Sequence, residues 1–221
     1  MDCSSLVDRL AVLDTCAVSD ALDSLGVSGA ASGLKRRSTN ATIAGRVRTI
    51  KLAAGKPEGG SGSHLGTQTI VESSAMDVIV VEQRTGIEAA GWGGVLATAA
   101  HHKGIRGVIV EGPARDIDEY ERIGLPVFSR SATPRTARGR IHQAATDVEI
   151  QVGGVAVAPG DLVIADGTGV VFVPADVAAK VILIAEKIVS REQLMSADVL
   201  AGQPVTEVMG KDYETMLGTQ D

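Results

Sequence analysis

The stretch from Gly91 to Asp116, GWGGVLATAAHHKGIRGVIVEGPARD, holds the residues whose types and spacing could do chemistry. Gly91, Gly93 and Gly94 precede a helix-forming run, Val95 to Lys103, which Gly104 closes. Glycines ahead of a helix let free backbone N–H groups approach an anion, and the helix dipole favours negative charge there. An apolar run, Val108 to Val110, then leads through Gly112 and Pro113 to Arg115 beside Asp116. An arginine can clamp a carboxylate or phosphate with two parallel bonds, and an aspartate is a hard oxygen ligand suited to Mg²⁺ or Mn²⁺. Each part alone has a structural reading, as a helix cap or an exposed ion pair. Their ordered conjunction points instead to one small site, at one end of a sheet, for an anionic substrate and a divalent metal.

Other polar residues read differently. Asp161 after Pro159-Gly160 and Asp166 before Gly167 fit turn positions, where aspartate bonds its own backbone. His101 and His102 fall late in a helix, where a cation suits the dipole. His64 follows a glycine-rich loop and is a candidate for the pocket, and Trp92 inside the key turn is a candidate wall. Asp20 is assigned to packing or a subunit contact.

The elements that must position these residues are legible from periodicity. Leu6 to Leu25 is helical, with Thr15 or Ser19 expected to cap a helix that Gly26 stops. Ala41 to Leu52 alternates like a strand pair around Gly45. Lys56 to Ser63 is a glycine- and serine-rich loop, and His64 to Ala75 is expected as a helix. Val78–Val81 and Val108–Val110 read as buried strands on either side of the central helix, which implies a parallel crossover. Pro126 to Phe128 is a further short strand. Dense turn signals from Val148 to Val173 predict antiparallel β structure, and a final amphipathic helix starts near Ala175.

Composition limits the function classes. The chain has 221 residues, 44% hydrophobic, 22% charged, with a net charge of −6. Its longest basic run is Lys35-Arg36-Arg37, which argues against nucleic acid as a partner. Cys3 and Cys16 show neither metal-ligand spacing nor a disulfide framework. No leader is evident, and no apolar run reaches the ~18 residues of a membrane span, so a cytoplasmic location is expected. Aromatics are only 2%. An aliphatic core gains less area per residue than an aromatic one, so burial between subunits is expected, with the stripe of Val177, Val181, Ile184, Ala185 and Ile188 as a candidate interface.

The chain also resembles the RraA-like family, which includes the regulator of ribonuclease activity A and the class II 4-hydroxy-4-methyl-2-oxoglutarate / 4-carboxy-4-hydroxy-2-oxoadipate aldolases. VSDALDSLGVSG (Val18 to Gly29), AGRVRTI (Ala44 to Ile50) and DVIVVE (Asp77 to Glu82) are similar to the first half of that family. The Gly91–Asp116 stretch, LPVF (Leu125 to Phe128) and GGVAVAPGDLVIADGTGVVFVP (Gly153 to Pro174) are similar to its core. The resemblance implies an α/β fold of three-layer β/β/α swivelling type. A single domain over 1–221 is expected, with a C-terminal helical tail from about 175, and the resemblance implies assembly as a homotrimer or homohexamer with sites between subunits. It further implies that Arg115 binds a pyruvyl carboxylate, Asp116 holds Mg²⁺ or Mn²⁺, the backbone of Gly93, Gly94, Val95 and Leu96 binds substrate, and Glu192 of a neighbouring subunit completes the catalytic set.

One position departs from the aldolase pattern. Where those enzymes carry an acidic residue ahead of the arginine, this chain has Gly94, so one acid–base group is missing; Asp118, Glu119 or a neighbour's Glu192 are the candidates to replace it. The function implied is a divalent-metal-dependent lyase, an aldolase or decarboxylase acting on a 2-oxo acid and releasing pyruvate through a metal-stabilised enolate. The alternative is a non-catalytic regulator that binds a ribonuclease or another protein partner.

Overall fold

The computed structural model describes residues 3–57 and 64–210. In chain order its elements are α1 (Cys3–Leu10), α2 (Thr15–Asp23), β1 (Ala30–Ala31), β2 (Lys35–Arg36), β3 (Ile43–Ala54), α3 (Thr67–Glu72), β4 (Asp77–Glu82), α4 (Gly94–His102), β5 (Gly107–Ala114), α5 (Ile117–Ile123), β6 (Val127–Ala132), β7 (Ile141–Thr146), β8 (Ile150–Val152), β9 (Val155–Val157), β10 (Leu162–Ala165), β11 (Val170–Val173), α6 (Ala178–Leu200) and α7 (Val205–Val208). One mixed sheet runs in the order β1-β11-β10-β3-β4-β5-β6-β2, with β7 added along the far end of β3 and β8–β9 forming a separate hairpin. β3, β4, β5 and β6 are mutually parallel; β1, β2, β7, β10 and β11 pair antiparallel.

Strand periodicity distributes side chains into three cores. In β4, Val78 and Val80 face the hairpin residues Ile150, Val152, Val155 and Val157, while Ile79 and Val81 face Trp92, Leu96 and Ala100 beside α4. In β10 and β11, Val163 and Phe172 share the hairpin side, and Ile164 and Val171 pack on α1, α2 and α6. Hairpin, sheet and helices thus form three layers, and every residue of β4 is buried, as expected for a parallel strand covered on both faces. The core is aliphatic, and the mixed α/β class matches the expectation from sequence.

Several details differ from the sequence reading. Ala41–Leu52 is not a strand pair: β3 runs unbroken from Ile43 to Ala54. Gly45 marks a close approach rather than a turn, since a Cβ there would lie 2.8 Å from both the Met76 carbonyl oxygen and Val78 Cγ2. Neither Thr15 nor Ser19 caps α2. Asp14 does, accepting the Ala17 amide at 2.8 Å, while Thr15 donates its amide and hydroxyl to Asp166.

The helix expected over 64–75 shrinks to Thr67–Glu72 because Ser74 leaves it to donate to the Asp77 carboxylate. The loop expected at Lys56–Ser63 lies mostly on residues 58–63, outside the described residues. The apolar stripe of α6 is not left for a partner: Val181, Ala185 and Ile188 are buried within the chain, with Val177 and Ile184 packed beside them. Its exposed apolar residues are Leu183, Leu194, Val199 and Leu200 instead. The helix α5 and strand β7 escaped the sequence reading. α5 is a short run dominated by charged residues, IDEYERI, and β7, IHQAAT, alternates weakly because only Ile141 is fully buried.

Candidate functional site

The glycine turn is fixed to the end of β5 by backbone pairing. Gly91 donates its amide to the Pro113 carbonyl at 2.8 Å, and Arg115 donates to the Trp92 carbonyl at 3.1 Å. These bonds bring the first turn of α4 beside the Arg115-Asp116 pair. Asp116 stands at the N-cap of α5 in the left-handed conformation, φ 61° and ψ 41°, yet makes no side-chain bond to that helix. Its Oδ2 instead accepts the Gly94 amide at 2.8 Å and lies 3.3 Å from Arg115 Nε. Gly93, the N-cap of α4, has no side chain to offer, so Asp116 caps α4 from another segment, with the sign of charge that the helix dipole favours.

Gly93 and Gly94 are glycines for space. Gly93 has φ −149°, extended backbone open to any residue, and Gly94 is not among the positive-φ positions. A Cβ on Gly93 would sit 3.0 Å from Arg115 Nε and 3.1 Å from Asp116 Oδ2. A Cβ on Gly94 would overlap the Glu119 carboxylate, with Cδ at 2.6 Å. The missing side chains therefore admit three charged ones against the start of α4.

The resulting cleft has a volume of about 290 Å³ and is lined by Arg115, Trp92, Leu96 and the Gly93–Val95 backbone on one side, and by His64, Leu65 and the Thr136–Arg138 loop on the other. Val95 and Leu96 are the second and third residues of α4, and their amides have no intrahelical partner. His64 Nδ1 is 3.0 Å from the Leu65 carbonyl, to which it must donate, so the neutral ring keeps Nε2 as an acceptor. Trp92 is buried and walls the cleft, and its Nε1 has no hydrogen-bond partner among the described residues. Arg115 also lines a second, more open hollow of about 560 Å³ with Asp116, Asp118, Glu119, Arg122 and Thr133. The two hollows meet at Arg115. One turn into α5, Tyr120 is fully buried. Burial pushes its phenol well above the ordinary range, and the Asp116 charge adds to this, so it stays neutral.

Sequence reasoning located Arg115, Asp116, Gly93, Gly94, Val95 and Leu96, and the structure brings all six together with His64 and Trp92. It missed the 136–138 loop. The available signal was four arginines, Arg130, Arg135, Arg138 and Arg140, in an otherwise acidic chain. Of the candidates to replace an acid at position 94, Glu119 reaches that spot, whereas Asp118 faces only the outer hollow. Glu192 is elsewhere in the same chain: burial and the neighbouring charges of Asp14 and Asp20 hold its carboxyl above the ordinary value, which places it beside α2. The turn reading of Asp161 and Asp166 holds. Asp161 accepts the Ala158 and Ala175 amides, and Asp166 accepts those of Thr15 and Thr168.

The family described as RraA-like, Aldolase/RraA, matches residues 15–172. The chain belongs to that family. Its similarity to a Halalkalibacterium halodurans protein provisionally named as 4-hydroxy-4-methyl-2-oxoglutarate aldolase is 30% identity over 212 residues, covering 92% of this chain and 94% of the relative. Protein DlpA of Legionella pneumophila is 28% identical over 78% of this chain, which spans only 28% of DlpA's own length. Among solved structures, an uncharacterized protein from Pseudomonas syringae superposes with a TM-score of 0.84 at 28% identity, covering 94% of this chain and 98% of that one. Streptomyces coelicolor RraAS2, described as an unusual member of the RNase ES inhibitor RraA family, gives a TM-score of 0.75 at 26% identity over 86% and 94% of the two chains. The fold is therefore RraA-like. Among the described residues no helix is long and apolar enough to cross a membrane.

Proposed function

We propose that this chain is a divalent-metal-dependent carbon–carbon lyase that cleaves a 2-oxo acid to pyruvate, as an aldolase, a decarboxylase, or both. The observation that carries this reading is the meeting of two hollows at Arg115, one lined by the amide end of α4 and the other by Asp116, which is itself bonded to the Gly94 amide. The provisional aldolase name of the Halalkalibacterium relative supports the substrate class.

The residues fit a hard divalent ion. Among the described residues, Asp116 uses Oδ2 for Gly94 and Arg115 and leaves Oδ1 without a hydrogen-bond partner, and no group of three acidic, histidine or cysteine side chains converges. A site with one protein carboxylate, completed by water and substrate oxygens, suits Mg²⁺ or Mn²⁺. When bound, such an ion supplies Lewis-acid neutralisation of charge developing on the 2-oxo oxygen.

The chain's own residues do the rest. Arg115 clamps the substrate carboxylate with its planar fork, and the free amides of Val95 and Leu96 add donors at the positive end of α4. Trp92, Leu65 and Leu96 exclude water from the carbon that becomes the pyruvyl methyl. Glu192 of a neighbouring subunit, in a trimer or hexamer, remains the proposed contribution from across an interface. The regulator reading drew on the missing acid at position 94, and the Glu119 carboxylate standing in that space weakens its ground.

The test is to incubate the protein with Mg²⁺ or Mn²⁺ and a panel of 4-hydroxy-2-oxo dicarboxylates and oxaloacetate, coupling pyruvate release to an indicator enzyme. Release from at least one substrate, abolished by chelator, is expected. No release across the panel with either metal would favour a binding role.

A further inference from the structure

We infer that Glu119 is the proton-carrying catalytic group of this site, and that Gly94 is glycine in order to admit it; the inference rests on the lyase reading above. Glu119 lies on α5, one turn beyond Asp116, and its backbone amide donates to the Asp116 carbonyl at 3.1 Å. That turn of helix aims its carboxylate at the first residue of α4, into the volume a Gly94 side chain would fill.

Three observations separate this from a chance surface contact. The Gly94 backbone does not require glycine, because its φ is not positive, and the volume its side chain would fill is occupied by the Glu119 carboxylate. Glu119 makes no side-chain hydrogen bond or ion pair among the described residues, unlike the structural acids Asp77, Glu111 and Asp166, each of which holds partners. Its half-buried position is in the outer hollow, with Arg115 and Asp116 on the same wall. A carboxylate with no structural partner, held at the positive end of a helix beside a carboxylate clamp, is placed to exchange protons with a bound substrate.

The step balances without a co-reactant. The Glu119 carboxylate takes the proton of the substrate's 4-hydroxyl, directly or through one water. The O–H electrons form the new C4 carbonyl as the C3–C4 bond breaks, and that bond's electrons pass to the C2 oxygen as the pyruvate enolate. Glu119 then returns the proton to C3, giving pyruvate and regenerating its carboxylate. In the decarboxylation of a 2-oxo dicarboxylate no hydroxyl proton is removed, and the enolate takes its C3 proton from water, directly or relayed through the Glu119 carboxylate.

Glu119→Gln keeps the shape and volume of the side chain and removes the base. It should lower aldol turnover by roughly 10²–10⁴-fold, the usual range for a general acid–base group, while oxalate, a mimic of the enolate, binds within about threefold of the parent. The double variant Gly94→Asp/Glu119→Ala moves a carboxylate onto the first position of α4, where acid suits the helix dipole. It should regain at least tenfold over Glu119→Ala alone. Parent-level turnover in Glu119→Gln overturns the inference, as does a loss of oxalate affinity matching the loss of turnover, or a folded double variant with no recovery. If instead the parent itself cleaves no 2-oxo acid, the lyase reading fails, a result distinct from all of these.

Discussion

The Gly94 amide donates to Asp116 Oδ2 at 2.8 Å, which joins the proposed metal ligand and the proposed anion-binding end of α4 into one hydrogen-bonded unit. A change at either residue is therefore felt by both functions. The charge of Asp116 steadies the helix end, and the helix end fixes which oxygen of Asp116 remains free.

Asp116→Asn separates the chemistry from the backbone. Asparagine accepts the left-handed conformation almost as readily as aspartate, and its carbonyl oxygen can take the Gly94 amide. The variant should melt close to the parent and lose metal-dependent turnover. Asp116→Ala should lose turnover too, but also about 1–2 kcal/mol of stability from the left-handed backbone. Calorimetric melting together with pyruvate release checks both.

Arg115→Lys keeps the positive charge and loses the fork. The missing charge-assisted bond is worth about 1.5–3 kcal/mol, or about ten- to a hundredfold in affinity. Titration calorimetry with pyruvate or oxalate should show that loss, and an unchanged affinity would remove Arg115 from the carboxylate-binding role.

How far the site was legible in the sequence depends on what kind of signal placed each residue. Arg115, Asp116 and the Gly93–Leu96 turn share one contiguous stretch, so local spacing sufficed to associate them. Glu119 is close in sequence and was one of three candidate acids, yet only the space at Gly94 shows where its carboxylate stands. The 136–138 loop reaches the cleft by way of β6 and β7, a tertiary path that periodicity does not encode. For the fold, β4 and β5 were plain because burial on both faces gives continuous apolar runs. The continuity of β3 through Gly45 was hidden, since a glycine kept for close packing reads like a glycine kept for a turn. The α6 stripe was correctly seen as apolar, but its partner is the chain's own α1–α2 layer.

Asp166 gives the fold an acid-sensitive link. Burial alone would raise its carboxyl, but hydrogen bonds from the Thr15 amide and hydroxyl and from the Thr168 and Gly169 amides outweigh that and hold it below the ordinary value. Because the folded form is the more acidic, its stabilisation is fully present above the unfolded pKa of about 3.9 and is lost as pH falls through the folded value. Asp166→Asn should be less stable than the parent at neutral pH, and the gap should narrow below about pH 4. Urea unfolding at both pH values measures it, and a gap that widened in acid would reverse the assignment.

Assembly is the next expectation. If Glu192 of a neighbouring subunit completes the site, Glu192→Ala and Asp116→Asn chains should each be inactive alone. Mixed under subunit exchange, they should recover activity, because some sites then carry neither change. Light scattering should show a trimer or hexamer. A monomer would refute the shared site, and an inactive mixture of folded, exchanging variants would exclude Glu192.

The central claim, that Arg115, Asp116 and the start of α4 form a site that enolises a 2-oxo acid, is tested most directly by solvent exchange of the pyruvate methyl protons, followed by NMR in D₂O with Mg²⁺ or Mn²⁺. This half-reaction is common to every substrate that releases pyruvate, so it does not depend on knowing which one the protein uses. The account predicts exchange well above the metal-only rate, abolished by chelator and by Asp116→Asn. A methyl signal that decays no faster with the protein and metal than with metal alone would contradict it.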